Sequence, residues 1–127
     1  GDIQQTEAEL SRVSDLMAAV VQYAKTRPAF DGYKAAKYNR KYLAEHEAEL
    51  ADYRAAKATM AELLGGEKLP KMDVLKEKRR QLAARKKALY LEYRKAQQDM
   101  RELVAVKGSV DHLRGLTDSQ RNKEQAR

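Results

Sequence analysis

The sequence predicts an all-α protein, an antiparallel three-helix coiled bundle with a protruding two-helix hairpin tip, and three observations lead there. Leucines recur at seven-residue spacing as Leu75, Leu82, Leu89 and Leu103, with Ala96 filling the one gap. The interval repeats upstream as Ile3, Leu10, Met17 and Ala24, offset by Val13 and Val20, and again as Ala36, Leu43, Leu50, Lys57 and Leu64. Breakers divide these stripes: Pro28 with Asp31-Gly32, then Gly65-Gly66 with Pro70. An apolar residue every seven, with another three or four away, keeps one seam toward a partner because 3.5 residues lie close to one helical turn.

The first helix is expected over residues 3–26. Thr6-x-x-Glu9 offers a capping box near its start, and Pro28 disfavours helix at Arg27. The second runs over residues 33–64 and stops at Gly65-Gly66, after which Pro70 closes a short loop with Leu69 turned inward. The third covers residues 72–107, broken or kinked by Gly108, with a short helix over 109–115 carrying Val110 and Leu113. Residues 1–118 form one helical domain and 119–127 a flexible tail.

Short connections make neighbouring helices antiparallel. Folding the second and third about Lys68 places Tyr42 beside Tyr93, Leu50 beside Arg85 and Tyr53 beside Leu82. The first helix, folding about Ala29, reaches only the level of Ala55, so residues 56–80 form the protruding tip. Lys57, Arg79 and Lys86 at seam positions weaken that tip, making it the most mobile helical region or the place where a partner packs through Met60 or Leu64.

With 127 residues the chain suits one domain. Two prolines, no cysteine, no tryptophan, 35% charged residues and a mean hydropathy of −0.82 fit a polar chain with narrow apolar stripes. No disulfide framework or thiolate chemistry is available, and no apolar run reaches the roughly 20 residues needed to span a bilayer. An intracellular, cytoplasmic setting without membrane contact is expected. Gly1, standing where helical sequence begins without Met, suggests a fragment of a longer product.

Charge is the main functional clue. Residues 1–64 carry nine Lys/Arg against ten Asp/Glu, whereas residues 71–107 carry twelve against five. The densest part, around Lys76, Lys78, Arg79, Arg80, Arg85, Lys86 and Lys87, has Glu77 as its single counter-charge, and helical spacing sets Lys76, Arg80 and Lys87 on one face. Lys76, Arg79, Arg80, Arg85, Lys86 and Lys87 are therefore the candidate nucleic-acid contacts, binding phosphates without sequence preference and with strong salt dependence. The same run also suits a solvated flank whose lysine stems cover apolar surface, or a face for an acidic protein.

Tyr33, Tyr38 and Tyr42 alternate with Lys34, Lys37, Arg40 and Lys41, a pattern able to stack bases. Tyr42, Tyr53 and Tyr93 fall near the seams, where an aromatic with a wet hydroxyl is ordinary bundle packing, and Tyr38 is the better stacking candidate. His46 and His112 stand far apart and outside metal spacings, so His46 is expected to be a hydrogen-bonded packing residue. No nucleophile elbow, phosphate loop or dinucleotide fingerprint appears; Gly65-Gly66-Glu-Lys-Leu-Pro lacks the Gly-Lys-Ser/Thr ending. Neither catalytic residues nor a metal or cofactor is expected.

Four segments in order carry a resemblance: YKAAKYNRKYLAEHEAEL at 33–50, KLP at 68–70, LYLEYRKAQQDMREL at 89–103 and VDHLRGL at 110–116. Together they resemble the C-terminal helical region of relaxases, the mobilisation nucleases of conjugative and mobilisable elements of the Firmicutes type. Relaxases nick one DNA strand with a catalytic tyrosine and a histidine-held metal in an N-terminal α/β domain. None of those elements matches here, so the nicking activity belongs to the presumed parent. The resemblance implies an accessory role: DNA contact near the transfer origin, self-association, or docking to accessory or coupling proteins. The alternative is a structural coiled-coil interaction or oligomerisation domain without nucleic-acid contact.

Overall fold

The computed structural model describes the backbone of residues 1–125 and side chains through residue 117. It is all-α, with α1 (Asp2–Ala35), α2 (Arg40–Glu45), α3 (Glu47–Leu64) and α4 (Met72–Gln125) and no strand among the described residues. Where the sequence suggested one domain over 1–118, the chain divides into two compact units, one ending at Lys86 and the other beginning at Lys87.

In the first unit, α1 is the common partner of the other helices. Arg12 donates to the Leu63 carbonyl at 2.7 Å, and Tyr23 stacks on Tyr53 at 5.2 Å. Higher numbers on α1 thus meet lower numbers on α3, an antiparallel pairing. Leu75 and Leu82 of α4 share a core with Val13, Leu16 and Met17, while Met60, Leu63 and Leu64 pack against it from α3. A groove lined by Asp2, Gln5, Thr6 and Glu9 on one side and Lys78, Gln81, Leu82 and Arg85 on the other fixes the register of α4. The start of α4 therefore also runs antiparallel to α1, along its N-terminal turns.

This arrangement corrects the expected hairpin about Lys68. Tyr53 meets Tyr23 and Phe30 rather than Leu82, and Arg85 faces the first turns of α1 rather than Leu50. Tyr93 is exposed and accepts a hydrogen bond from Gln97. The protruding tip is corrected as well. Ala56 and Leu75 are buried, and Met60, Leu64, Leu69 and Met72 pack on the core, so these residues are structural rather than a free docking edge.

The cause is the length of α1, whose 34 residues pass through Pro28 to Ala35. Proline at position 28 removes the hydrogen bond to the Ala24 carbonyl and costs about 3 kcal/mol in a helix interior. Packing beyond it compensates. Ala29 is buried, Phe30 stacks on Tyr53 at 4.4 Å, and Tyr33 stacks on Tyr42 at 5.9 Å. Just before the proline, buried Thr26 donates to the Gln22 carbonyl at 2.8 Å, which satisfies its hydroxyl inside the helix. The Tyr42 hydroxyl donates to the Ala29 carbonyl at 2.7 Å, an approach that a side chain at Gly32 would block.

Chain reversal thus falls at residues 36–39 instead of Asp31-Gly32. Lys37 donates to the Lys34 carbonyl and Tyr38 to the Tyr33 carbonyl, both at 2.9 Å, which is the Schellman pattern. Lys37 and Tyr38 adopt φ of 55° and 59°, a region costly for residues with a Cβ. Lys37→Gly is accordingly expected to raise stability by about 0.5–1 kcal/mol, read from denaturant midpoints; an unchanged or lower midpoint would show that the turn is unstrained. Asn39 then caps α2, accepting from the backbone of Lys41 at 2.7 Å.

The second predicted helix is interrupted at His46, whose φ of −121° separates α2 from α3. His46 stacks on Tyr42 at 4.0 Å, and its Nδ1 lies 3.1 Å from the Tyr42 carbonyl, an oxygen that only accepts. Gly65 ends α3 in the left-handed conformation, as the glycine pair predicts, and α4 starts at Met72. At the N-terminus, Gly1 caps α1 and Thr6 is buried inside it, so the expected capping box is not used.

Within the second unit the helix continues past Gly108 and Gly115, correcting the expected break and separate short helix. A glycine costs a helix about 1 kcal/mol relative to alanine but keeps its N–H and C=O, so the ladder is weakened rather than cut. Helix also covers residues 119–125 of the expected tail; Ala126 and Arg127 lie outside the described residues.

Burial raises the Tyr53 hydroxyl above a tyrosine's ordinary value, reinforced by its hydrogen bond with Tyr23. Its contribution to stability is intact below about pH 10, where an unfolded tyrosine starts to ionise, and is lost as pH climbs through the higher folded value. Melting temperatures should decline in that alkaline window, and Tyr53→Phe should flatten the decline. An identical alkaline profile in the variant would contradict this assignment.

Candidate nucleic-acid interface

The cationic run sits on the first turns of α4, whose buried face is set by Leu75 and Leu82 at 3% and 9% exposure. At about 100° per residue the cations divide around that face. Lys76 and Arg80 lie on one flank, Lys78 and Arg85 on the other, and Arg79 beside the seam. Lys76, Arg79, Arg80 and Arg85 are exposed, whereas Lys86 is half-buried at its seam position. Lys87 opens the second unit and is exposed.

These cations differ in what they face. Arg80 forms a two-pronged pair with Glu77, its Nη2 donating at 2.6 Å and its Nε at 3.0 Å. That fork holds the Glu77 carboxyl below the usual carboxylate range and the guanidinium above its own. Arg80 therefore brings less unpaired charge than its residue type implies. Arg85, with Lys78, lines the groove that Asp2 and Glu9 of α1 also line. The least opposed cations of the run are Lys76 and Arg79, with Lys87 separately exposed at the start of the next unit.

The acidic side of that groove was missed by sequence reasoning because Asp2 and Glu9 lie some 75 residues upstream of the cations that share the groove. Only the register of α1 against α4 reveals it.

A second basic area surrounds the turn between α1 and α2. Lys34, Lys37, Arg40 and Lys41 are exposed, and so is Tyr38 at 57%, with its ring edge-on to Tyr33 at 5.2 Å. The Tyr33 and Tyr42 rings are taken up by their mutual stack, Tyr42 extending it to His46. Tyr53 is buried between Tyr23 and Phe30. Tyr38 is the tyrosine of this group whose side chain is most open to a ligand.

Among the described residues no group of His, Asp and Glu is arranged to hold a metal ion, and no helix is long and apolar enough to cross a membrane. No protein-family model, curated protein or solved structure matches the chain.

Proposed function

We propose that this chain is a non-catalytic helical accessory module that contacts the DNA backbone, acting in the cytoplasm as the C-terminal part of a relaxase in mobilisation of a conjugative element. The observation that carries the DNA contact is the exposed cationic start of α4, with Lys76 and Arg79 in no ion pair among the described residues and Glu77 the one acid within the run. Rows of exposed cations on a rigid helix match phosphates at regular spacing and read no bases. The relaxase setting rests on the four ordered segments between residues 33 and 116.

Two duplexes of equal length and unrelated sequence provide the test. Binding of both at low salt with similar affinity is expected, since backbone contacts do not distinguish bases. A strong preference for one, or binding to neither, would overturn this reading.

The runner-up, a protein-interaction or oligomerisation domain, is favoured by a separate observation. In the second unit Leu91, Met100, Leu103, Val104, Val106 and Leu113 are all exposed, more apolar surface than a solvated helix needs.

A further inference from the structure

The apolar residues of the second unit are ordered. Leu89, Met100, Leu103, Val106, Val110 and Leu113 fall at intervals compatible with one helical seam, completed by Tyr93 and Ala96. Steps of three and four separate successive members over residues 89–113. Leu103 and Leu113 are 64% and 62% exposed. The seam carries on the heptad of Leu75 and Leu82, which α1 covers in the first unit. Leu89 is half-buried, and beyond it the pattern persists while its members are exposed. A helix weakened by two glycines gains too little from its own backbone to stand without burying such a stripe.

We infer that a second copy of this chain covers the seam, forming a two-stranded coiled coil over residues 89–113. The chain's own heptad faces are taken, and charge then favours a copy over a strongly charged partner. The matching faces of α1 and α3 are already used in the first unit, where Val13, Leu16 and Met17 close on Leu75 and Leu82. Among the described residues, the heptad surface left exposed is the stripe that runs on from half-buried Leu89 to Leu113. Charge agrees: residues 88–117 hold five Lys/Arg and four Asp/Glu, interleaved, so like pairs with like without net repulsion. An oppositely charged partner would find little to steer it there, unlike at the basic start of α4. The seam also alternates bulk, with small Ala96 between Tyr93 and Met100, which lets large side chains of one strand settle over a small one of the other. This pairing does not depend on DNA contact.

Sedimentation equilibrium of the full chain at physiological salt tests it. The expected mass is twice the 14.5 kDa of one chain, at tens of micromolar protein. The double variant Met100→Glu with Leu103→Glu should sediment as one chain, because it sets charges within adjacent layers. Leu91→Glu, on the opposite face of the same helix, should leave the mass doubled and controls for loss of helix. A wild-type mass of one chain, or any multiple other than two, would overturn the inference, with one chain assigning the seam to a different protein. So would a doubled mass that the double variant retains or that Leu91→Glu abolishes equally.

Discussion

Replacing Leu50 by alanine is expected to destabilise the first unit by about 3 kcal/mol and lower its melting temperature by roughly 10 °C or more. Among the described residues Leu50 is the largest fully buried side chain, 1% exposed, on a helix whose buried Tyr53 stacks on Tyr23 and Phe30 of α1. Truncation removes both its transfer free energy and the contacts of the atoms around it. Glu47, Ala51 and Arg54 border an open groove beside it, so some collapse is available, which favours the middle of the usual range over its top. Thermal unfolding followed by circular dichroism reads the effect. A loss below about 1 kcal/mol would mean that α3 does not depend on that contact.

Changing Lys76, Arg79, Arg80, Arg85, Lys86 and Lys87 together to glutamine is expected to weaken DNA binding about 100-fold or more at low salt while leaving helicity unchanged. Glutamine is nearly as good a helix former as lysine or arginine, and five of the six side chains are exposed, with Lys86 half-buried. The contributions should be unequal. Lys76 and Arg79 should account for more of the loss than Arg80, whose guanidinium Glu77 already holds, or Arg85, which faces the groove shared with Asp2 and Glu9. Single variants measured at one salt concentration separate these cases. Equal losses at all six positions would indicate that binding senses net charge alone. An unchanged affinity in the sextuple variant would move the contact elsewhere, with the Lys34, Lys37, Arg40 and Lys41 area next to be tested.

The heptads told which residues would be buried more reliably than where helices turn. Met17, Leu50, Leu75 and Leu82 occupy the seams that their spacing predicts, and Gly65 ends its helix because its left-handed backbone suits a residue without Cβ. Pro28 misled because its local cost is smaller than the gain from packing Ala29, Phe30 and Tyr33 against α2 and α3, contacts invisible along the sequence. Moving that one turn to residues 36–39 lengthened α1, shifted its register on α3, and converted the predicted free tip into core. Gly108 misled for the opposite reason: its modest penalty suggested a break or kink where the helix runs on. At the candidate interface, the cations were legible as a run on one helix. Their division among a paired arginine, a groove facing acids and an open flank required the register of α1.

Contact with the DNA backbone makes affinity fall steeply with salt, because each neutralised phosphate releases condensed counterions. Fluorescence anisotropy of the chain with single- and double-stranded oligonucleotides, from low to physiological salt, should give a steep linear fall of log affinity against log salt. The slope should correspond to about three to five phosphates, shallower for single strands because their charge is less dense. A slope near zero, or no binding at low salt, would rule out that contact and leave the apolar seam of the second unit as the functional surface.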